Sequence, residues 1–450
     1  MVHVNPPGPR GNPILGNLTA FNRNTLGFLE ELSRYGDVSS FRFGPYRVYF
    51  FNHPDMVRDV LVTHARSFQK TVLLKAVLGD IIGENIFTSD GDYWRQQRKL
   101  MQPAFHSKRI GAYADVMVAY TRDMLKCWHD GQAVDIQAAM TSLTMNIVSK
   151  TLFDADVSDE TQTAGHAMTT IFSTVDERFE RLLPTPTWLP SGENRKLHAA
   201  RDTVRSILKP IISERRRSGE DHGDLLSMLV LAQDEDGQGM SDAQVLQEAM
   251  TIFGAGHETT ANALTWTLYL LSQHPQVAER LAAEVDEVLG DRLATLADLE
   301  ALPYSDMVVK ESMRLYPPAW GITRQAIEDV EIGGYMVPKD TTLFVSPWTL
   351  GRDARWFPHP QRFDPERFLP ENEAQIPKYA YIPFGGGPRV CIGNSFAMME
   401  ARLILVTIAQ RYQFSLAPGQ QVAPERVFTL RPRYGMSLLV HSRHDHPVYA

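Results

Sequence analysis

The chain has 450 residues, 43% hydrophobic and 22% charged, ordinary proportions for a globular protein with a substantial core. A formal net charge of -8 without a long basic run argues against nucleic acid as a partner, because phosphate binding needs clustered Lys and Arg. Two cysteines exclude a disulfide scaffold and fit a reducing compartment such as the cytoplasm, and the first residues carry neither a signal h-region nor a transmembrane span, so no integral membrane anchor is expected.

In chain order, Pro6 to Leu18 reads as an extended lead-in, and Asn24 to Tyr35 as a short helix. Ser39–Phe43 and Tyr46–Phe51 form a hairpin turned at Gly44-Pro45, followed by a helix from Pro54 to Val62. Leu73 to Phe87, apolar but interrupted by Gly79 and Gly83, reads as an irregular connection. The next helix runs from Asp92, its expected N-cap, to Met101, and puts Trp94 and Arg98 on one face. As residues alone, that pair is packing plus a solvated charge. Amphipathic helices fill Ile110 to about Asp154 with a break near Gly131, and Cys127 lies among them as a structural residue. Two more helices, 162–181 and 194–217, flank a proline-rich run that no helix can cross.

Ser241 to Gln244 has the form of a capping box, starting a largely apolar helix that runs to about Gln273 and belongs inside a large domain. Within it, Gly254-Ala-Gly-His-Glu-Thr-Thr260 lets another body approach the backbone, while Glu258 and Thr259 need partners in such an interior. A helix crossing with two satisfied polar residues remains the alternative. Helices follow at Pro275–Leu289 and Tyr304–Tyr316, and Glu311 can pair with Arg314 three residues on. Strands are expected at Trp320–Gln325, in the hairpin Glu331–Val337, and at Thr342–Ser346, Arg426–Thr429 and Met436–Val440.

Three glycines and a proline precede Cys391 in Phe384-Gly-Gly-Gly-Pro-Arg-Val-Cys391-Ile-Gly393, and an apolar helix follows. A cysteine at a helix N-terminus has its thiol pKa lowered and suits a thiolate ligand or a nucleophile. A buried free cysteine is the other reading. Zinc and iron–sulfur sites are disfavoured, since no paired-Cys spacing exists, whereas haem needs one thiolate.

The run Phe384-xx-Gly387-x-Arg389-x-Cys391-x-Gly393 resembles the haem-binding signature of the cytochrome P450 family. Further motifs in the same order extend the resemblance over essentially the whole chain: Trp94-xxx-Arg98, Ala255-Gly-His-Glu258-Thr259, Glu311-xx-Arg314 and Pro365-Glu-Arg367-Phe368. The resemblance implies a mainly α protein with small β-sheets, the cytochrome P450 fold, as a single domain over residues 1–450. It implies haem b (iron protoporphyrin IX) with Cys391 as axial ligand of the iron. Trp94, Arg98, Arg324 and Arg389 would hold its propionates, and Phe384, Gly393 and Ala255 would lie against it. Glu311, Arg314 and Arg367 would form a structural network. Glu258 and Thr259 would deliver protons beside bound O2. Leu73, Leu74, Val77, Leu78, Ile82, Phe87, Ala319, Trp320, Ile322, Phe428 and Thr429 would line the substrate site.

The implied activity is that of a monooxygenase placing one atom of O2 into a hydrophobic molecule (fatty acid, terpenoid or carotenoid-like). Electrons would come from an external donor, a ferredoxin or flavodoxin with its reductase. Two alternatives keep Cys391. A haem-thiolate isomerase or dehydratase would not need the Glu258–Thr259 pair, and a non-catalytic haem sensor would need neither that pair nor an apolar channel.

Overall fold

The computed structural model describes residues 5–154, 159–179 and 186–443. Its helices of ten residues or more are α1 (Val72–Ile82), α2 (Gly91–Met101), α3 (Ala114–Leu125), α4 (Ile136–Phe153) and α5 (Asp159–Phe179), then α6 (Gly192–Ser218), α7 (Asp242–Gln273), α8 (Pro275–Leu289), α9 (Pro303–Leu315) and α10 (Asn394–Ala409). The strands are β1 (Val38–Phe43), β2 (Tyr46–Phe51), β3 (Phe68–Gln69), β4 (Ala133–Asp135), β5 (Ile322–Ala326), β6 (Val330–Ile332), β7 (Tyr335–Val337), β8 (Thr342–Val345), β9 (Tyr412–Leu416), β10 (Pro424–Arg426), β11 (Leu430–Pro432) and β12 (Ser437–Ser442). The fold is mainly helical with small sheets, as the resemblance implied.

Helix α7 is the axis. The reciprocal Ser241–Gln244 capping box starts it, and its apolar residues face neighbours on nearly every side. Helix α4 lies along it, with the Thr144 hydroxyl donating to the His257 carbonyl at 2.9 Å. Toward its C-terminal end Trp266 stacks on Tyr316, centroids 4.0 Å apart, and donates to the Leu430 carbonyl at 3.1 Å. Helix α5 approaches so closely at Gly254 that a Cβ there would sit 2.2 Å from the Phe172 ring. The larger core cluster joins α3, α4, α7, α8, α9 and α10, and a second joins α1, α5 and α6 to the start of α7.

The largest sheet has the order β1-β2-β8-β5-β3, antiparallel except where β2 runs parallel to β8. This holds β5, and with it Arg324, against Leu343 of β8. Below α9, Glu311 is fully buried and accepts two bonds from Arg314, at 2.6 and 2.7 Å, and one from the Asp364 N–H at 2.9 Å. Arg367 approaches the same carboxylate at 3.4 Å, so the three-residue cluster expected from sequence is assembled.

Three local expectations are corrected. The connection after Leu73 is the regular helix α1: Thr71 caps it by accepting from the Leu74 N–H, and the glycine that ends it, Gly83, has a positive φ. Gly79 sits inside that helix with nothing near its missing Cβ, so it interrupts nothing. The N-cap position of α2 is Asp90, not Asp92, and the Asp90 side chain makes no capping bond there, since its carboxylate accepts from Arg389 and from the Lys70 N–H. The strand expected at Arg426–Thr429 ends at Arg426, and Val427 to Thr429 form the bend between β10 and β11. Part of the proline-rich run before α6 lies outside the described residues.

Candidate active site

A cavity of about 770 Å³ opens beside the middle of α7. It is walled by α7, the start of α1, α2, the segment Pro318–Gln325, the loop Pro383–Gly393 and the bend Val427–Thr429. The loop reaches it through glycine: Gly387 has φ +66°, and a Cβ there would fall 1.9 Å from the Leu61 carbonyl oxygen. The Cys391 N–H closes the loop on the Phe384 carbonyl at 2.9 Å. Cys391, Phe384, Gly393 and Ala255 all line the cavity.

The Cys391 thiol reaches the cavity yet is hemmed in by protein. Burial pushes its pKa up, outweighing the Gly393 N–H bonded to the sulfur and the charge of Arg98. The lowered value expected at a helix N-terminus is therefore corrected: desolvation exceeds the backbone field. A thiolate here calls for a bound cation.

One wall collects positive charge. Arg324, pushed down to about 10 by burial and then by Arg389, donates to the Thr323 carbonyl at 2.8 Å and, among the described residues, to no carboxylate. Lys70 is held well below the ordinary lysine range by burial and by the charges of Arg324 and Arg389. Asp90 is the carboxylate among them, and it is already engaged by Arg389 at 2.5 Å and Lys75 at 2.9 Å. Arg389 also stacks on Trp94, 4.0 Å from the ring centre, and Arg98 donates to the Val390 carbonyl at 2.9 Å.

Opposite, Thr259 donates its hydroxyl proton to the Ala255 carbonyl at 2.8 Å. Glu258 accepts from the Thr429 hydroxyl at 2.7 Å, and Thr429 in turn accepts from the Asn262 side chain at 3.0 Å. Two further acids lie on the helices behind this wall. Glu248 of α7 accepts from the Ile86 N–H at 2.9 Å, and burial raises it to about 7. Glu400 of α10 is fully buried and raised to about 8 by desolvation.

Of the expected lining, Leu73, Leu74, Phe87, Ala319, Trp320, Ile322, Phe428 and Thr429 border the cavity. Val77, Leu78 and Ile82 do not. They are core residues on the other face of α1, packed toward α5, because a regular helix turns every fourth residue inward. The Thr429 hydroxyl is spent on Glu258 and Asn262, and the residue is almost fully buried. Phe428 packs its ring against Phe87 and Phe172, with centroids at 5.8 and 5.7 Å. Sequence reasoning missed Lys70, Asn262, Glu248 and Glu400. Buried polar positions inside the apolar helices α7 and α10 were the available signal for the last three, and nothing local marks Lys70.

The family model for cytochrome P450 matches residues 6–440. The chain belongs to the cytochrome P450 family. It is 38% identical over 413 residues to cyclooctat-9-en-7-ol 5-monooxygenase of Streptomyces melanosporofaciens, covering 91% of this chain and 90% of that protein. It is 34% identical over 429 residues to pentalenene oxygenase of Streptomyces avermitilis, covering 94% of each. Among solved structures, the cytochrome P450DA heme domain superposes with a TM-score of 0.89 at 27% identity over 99% of both chains. This P450 is a monooxygenase that acts on a hydrophobic substrate with O2 and an external redox partner, and its cofactor is haem. The cavity fits that group: it offers a sulfur that needs a cation, and buried cations short of anionic partners that suit a ligand with two carboxylates. No helix among the described residues is long and apolar enough to cross a membrane.

Proposed function

We propose that this P450 hydroxylates a terpenoid, with residues 1–450 acting as one catalytic domain. The observation that carries the reading is the cavity's composition: apolar and aromatic walls from Leu73, Phe87, Trp320, Ile322 and Phe428, met by one acid–alcohol pair on α7. The names of the two relatives point the same way for substrate class.

Cys391 would bind the haem iron as thiolate, with the Gly393 N–H moderating its charge. Arg98, Arg324, Arg389, Trp94 and Lys70 would hold the two propionates, Arg through its planar donor fork. Phe384, Gly393 and Ala255 would lie against the ring. When bound, the cofactor supplies the oxidation of an unactivated C–H bond, which no side chain can perform.

The rest falls to the chain. The aromatic walls orient the substrate and keep bulk water out. Thr259, whose hydroxyl donates to the Ala255 carbonyl, would use its lone pairs to accept a hydrogen bond from the cavity. Glu258 supplies protons through water, one oxygen held by Thr429. The buried cluster of Glu311, Arg314 and Arg367 ties α9 to the segment 360–364, through Arg314 on the Pro360 and Arg362 carbonyls and Glu311 on the Asp364 N–H.

The electron donor we assign is an acidic carrier, a ferredoxin or flavodoxin served by its reductase. An open groove lined by Trp94, Arg95, Arg98, Lys99, Lys108 and Arg109 supports this, since Arg98 links it to the residue before Cys391. We assign the enzyme to the cytoplasm, where neither Cys127 nor Cys391 would be drawn into a disulfide.

The test begins with the reduced carbon monoxide difference spectrum, expected to be of thiolate type and lost in Cys391→Ser. A panel of terpenes and fatty acids is then screened for haem spin-state shifts, and the best ligand is turned over under labelled O2. One labelled atom in a terpene product is expected. A response to fatty acids alone, or product formed without label, defeats the proposal. Thr259→Ala should divert electrons from product to peroxide, and undiminished coupling would remove Thr259 from the proton path.

A further inference from the structure

The bend between β10 and β11 carries, beside Phe428, a residue whose hydroxyl is committed to the acid on α7. Thr429 is 3% exposed, donates to Glu258 Oε1 at 2.7 Å and accepts from Asn262 Nδ2 at 3.0 Å. Asn262 lies one turn beyond Glu258 on α7 and is itself 3% exposed. The Asn262 amide can only donate through Nδ2, so the Thr429 proton is directed away from it and onto the carboxylate. Among the described residues no donor reaches Glu258 Oε2, and Glu258 borders the cavity. We infer that Thr429 and Asn262 are positioning residues for proton delivery: they hold Glu258 by Oε1, so that Oε2 is the oxygen that exchanges protons with the cavity.

Two features of the geometry support a device over incidental packing. A glutamate side chain has three rotatable bonds, and a charge-assisted bond to a buried hydroxyl removes most of that freedom. The anchor also comes from a different part of the chain than the acid, 171 residues away, on the bend whose neighbouring ring packs against Phe87 and Phe172. A cavity occupant pressing on Phe428 therefore bears on the residue that aims the acid.

The inference rests on Glu258 being the proton donor, and the experiment separates the two. Wild type, Thr429→Val, Thr429→Ser, Asn262→Leu and Glu258→Gln are prepared as holoenzymes. In the absence of substrate, each is driven by chemical reductant in H2O and D2O, and peroxide release is measured: O2 plus two electrons and two protons gives H2O2. The carboxylate stretch of Glu258 is read separately by infrared spectroscopy of the resting protein, using Glu258→Gln for subtraction. Thr429→Val should shift that band, slow peroxide release roughly tenfold, a fraction of what a positioned acid contributes, and enlarge the solvent isotope effect. Thr429→Ser should restore all three. Asn262→Leu should give the same signs with smaller size, and it carries the test alone if the valine variant does not fold. An unshifted band with an unchanged isotope effect in Thr429→Val, beside an impaired Glu258→Gln, overturns the positioning role alone. A Glu258→Gln enzyme equal to wild type overturns the proton-donor reading and this inference with it.

Discussion

Two sides of one cavity treat buried charge in opposite ways. On the first, Lys70, Arg324 and Arg389 crowd around Asp90, whose carboxylate Arg389 and Lys75 already occupy. On the helices behind the second, burial raises Glu248 to about 7 and Glu400 to about 8. An arginine keeps its proton at neutral pH, so Arg324 and Arg389 stay charged; Asp90 offsets part of that charge, and the remainder is offset when anions arrive with a ligand. A carboxyl can take up a proton, so the acidic side neutralises itself from within. The first side is incomplete without its cofactor, whereas the second can shed its buried charge by protonation with no ligand bound.

The sharpest way to break this contrast is Arg324→Leu. Losing one buried charge-assisted bond to a ligand carboxylate is worth about 1.5–3 kcal/mol, so haem retention should fall tenfold or more. The same change removes repulsion from Lys70 and Arg389. The haem-free protein should accordingly unfold at a temperature no lower than wild type, while the loaded protein unfolds earlier. Scanning calorimetry of both forms decides it, and equal losses in the two would mean that Arg324 is ordinary packing.

The acidic side predicts a pH dependence whose sign is fixed. Glu400 holds its proton more tightly folded than unfolded, so the unfolded state loses protons first as pH rises from about 4.5. Stability therefore falls with rising pH until about 8, by on the order of 5 kcal/mol at most. Glu400→Gln abolishes that slope, and its advantage over wild type should grow from pH 5 to pH 8 in urea titrations. Glu248→Gln should behave alike with a smaller span, about 3 kcal/mol at most and complete near pH 7, because a glutamine oxygen still accepts from the Ile86 N–H. A wild-type protein equally stable at pH 5 and pH 8 would sink both.

This contrast also sorts what was legible in the sequence. The cysteine loop was, because its chemistry is local: glycines for the turn, one sulfur, and a helix behind. Cys391, Trp94, Arg98, Arg389 and Ala255 line one cavity as the motifs implied. Lys70 was not, since it becomes unusual only when the fold buries it and β5 and the cysteine loop bring two arginines beside it. Asn262 and Glu400 were hidden for a similar reason, as their meaning depends on what packs across α7. Helix α1 was obscured for another reason: Gly79 and Gly83 suggest a break, whereas the i, i+4 pairs Val77–Ile81 and Leu78–Ile82 are the face that the core buries.

The smallest predicted effect tests the charge balance at its one negative member. Asp92, expected to cap α2, is exposed in its first turn and, among the described residues, paired only with exposed Arg95, so Asp92→Ala should change stability by less than about 0.5 kcal/mol. Asp90 is two residues away and of the same type, yet it engages Arg389, Lys75 and the Lys70 N–H. Asp90→Asn leaves the cationic side without its carboxylate, so the haem-free protein should be destabilised well beyond the Asp92 variant. Bound propionates would restore part of that loss, and the gap between the two variants should narrow in the holoenzyme. Equal behaviour of Asp90→Asn and Asp92→Ala in both forms would show that the positive charge is balanced by solvent, and the contrast between the two sides would dissolve.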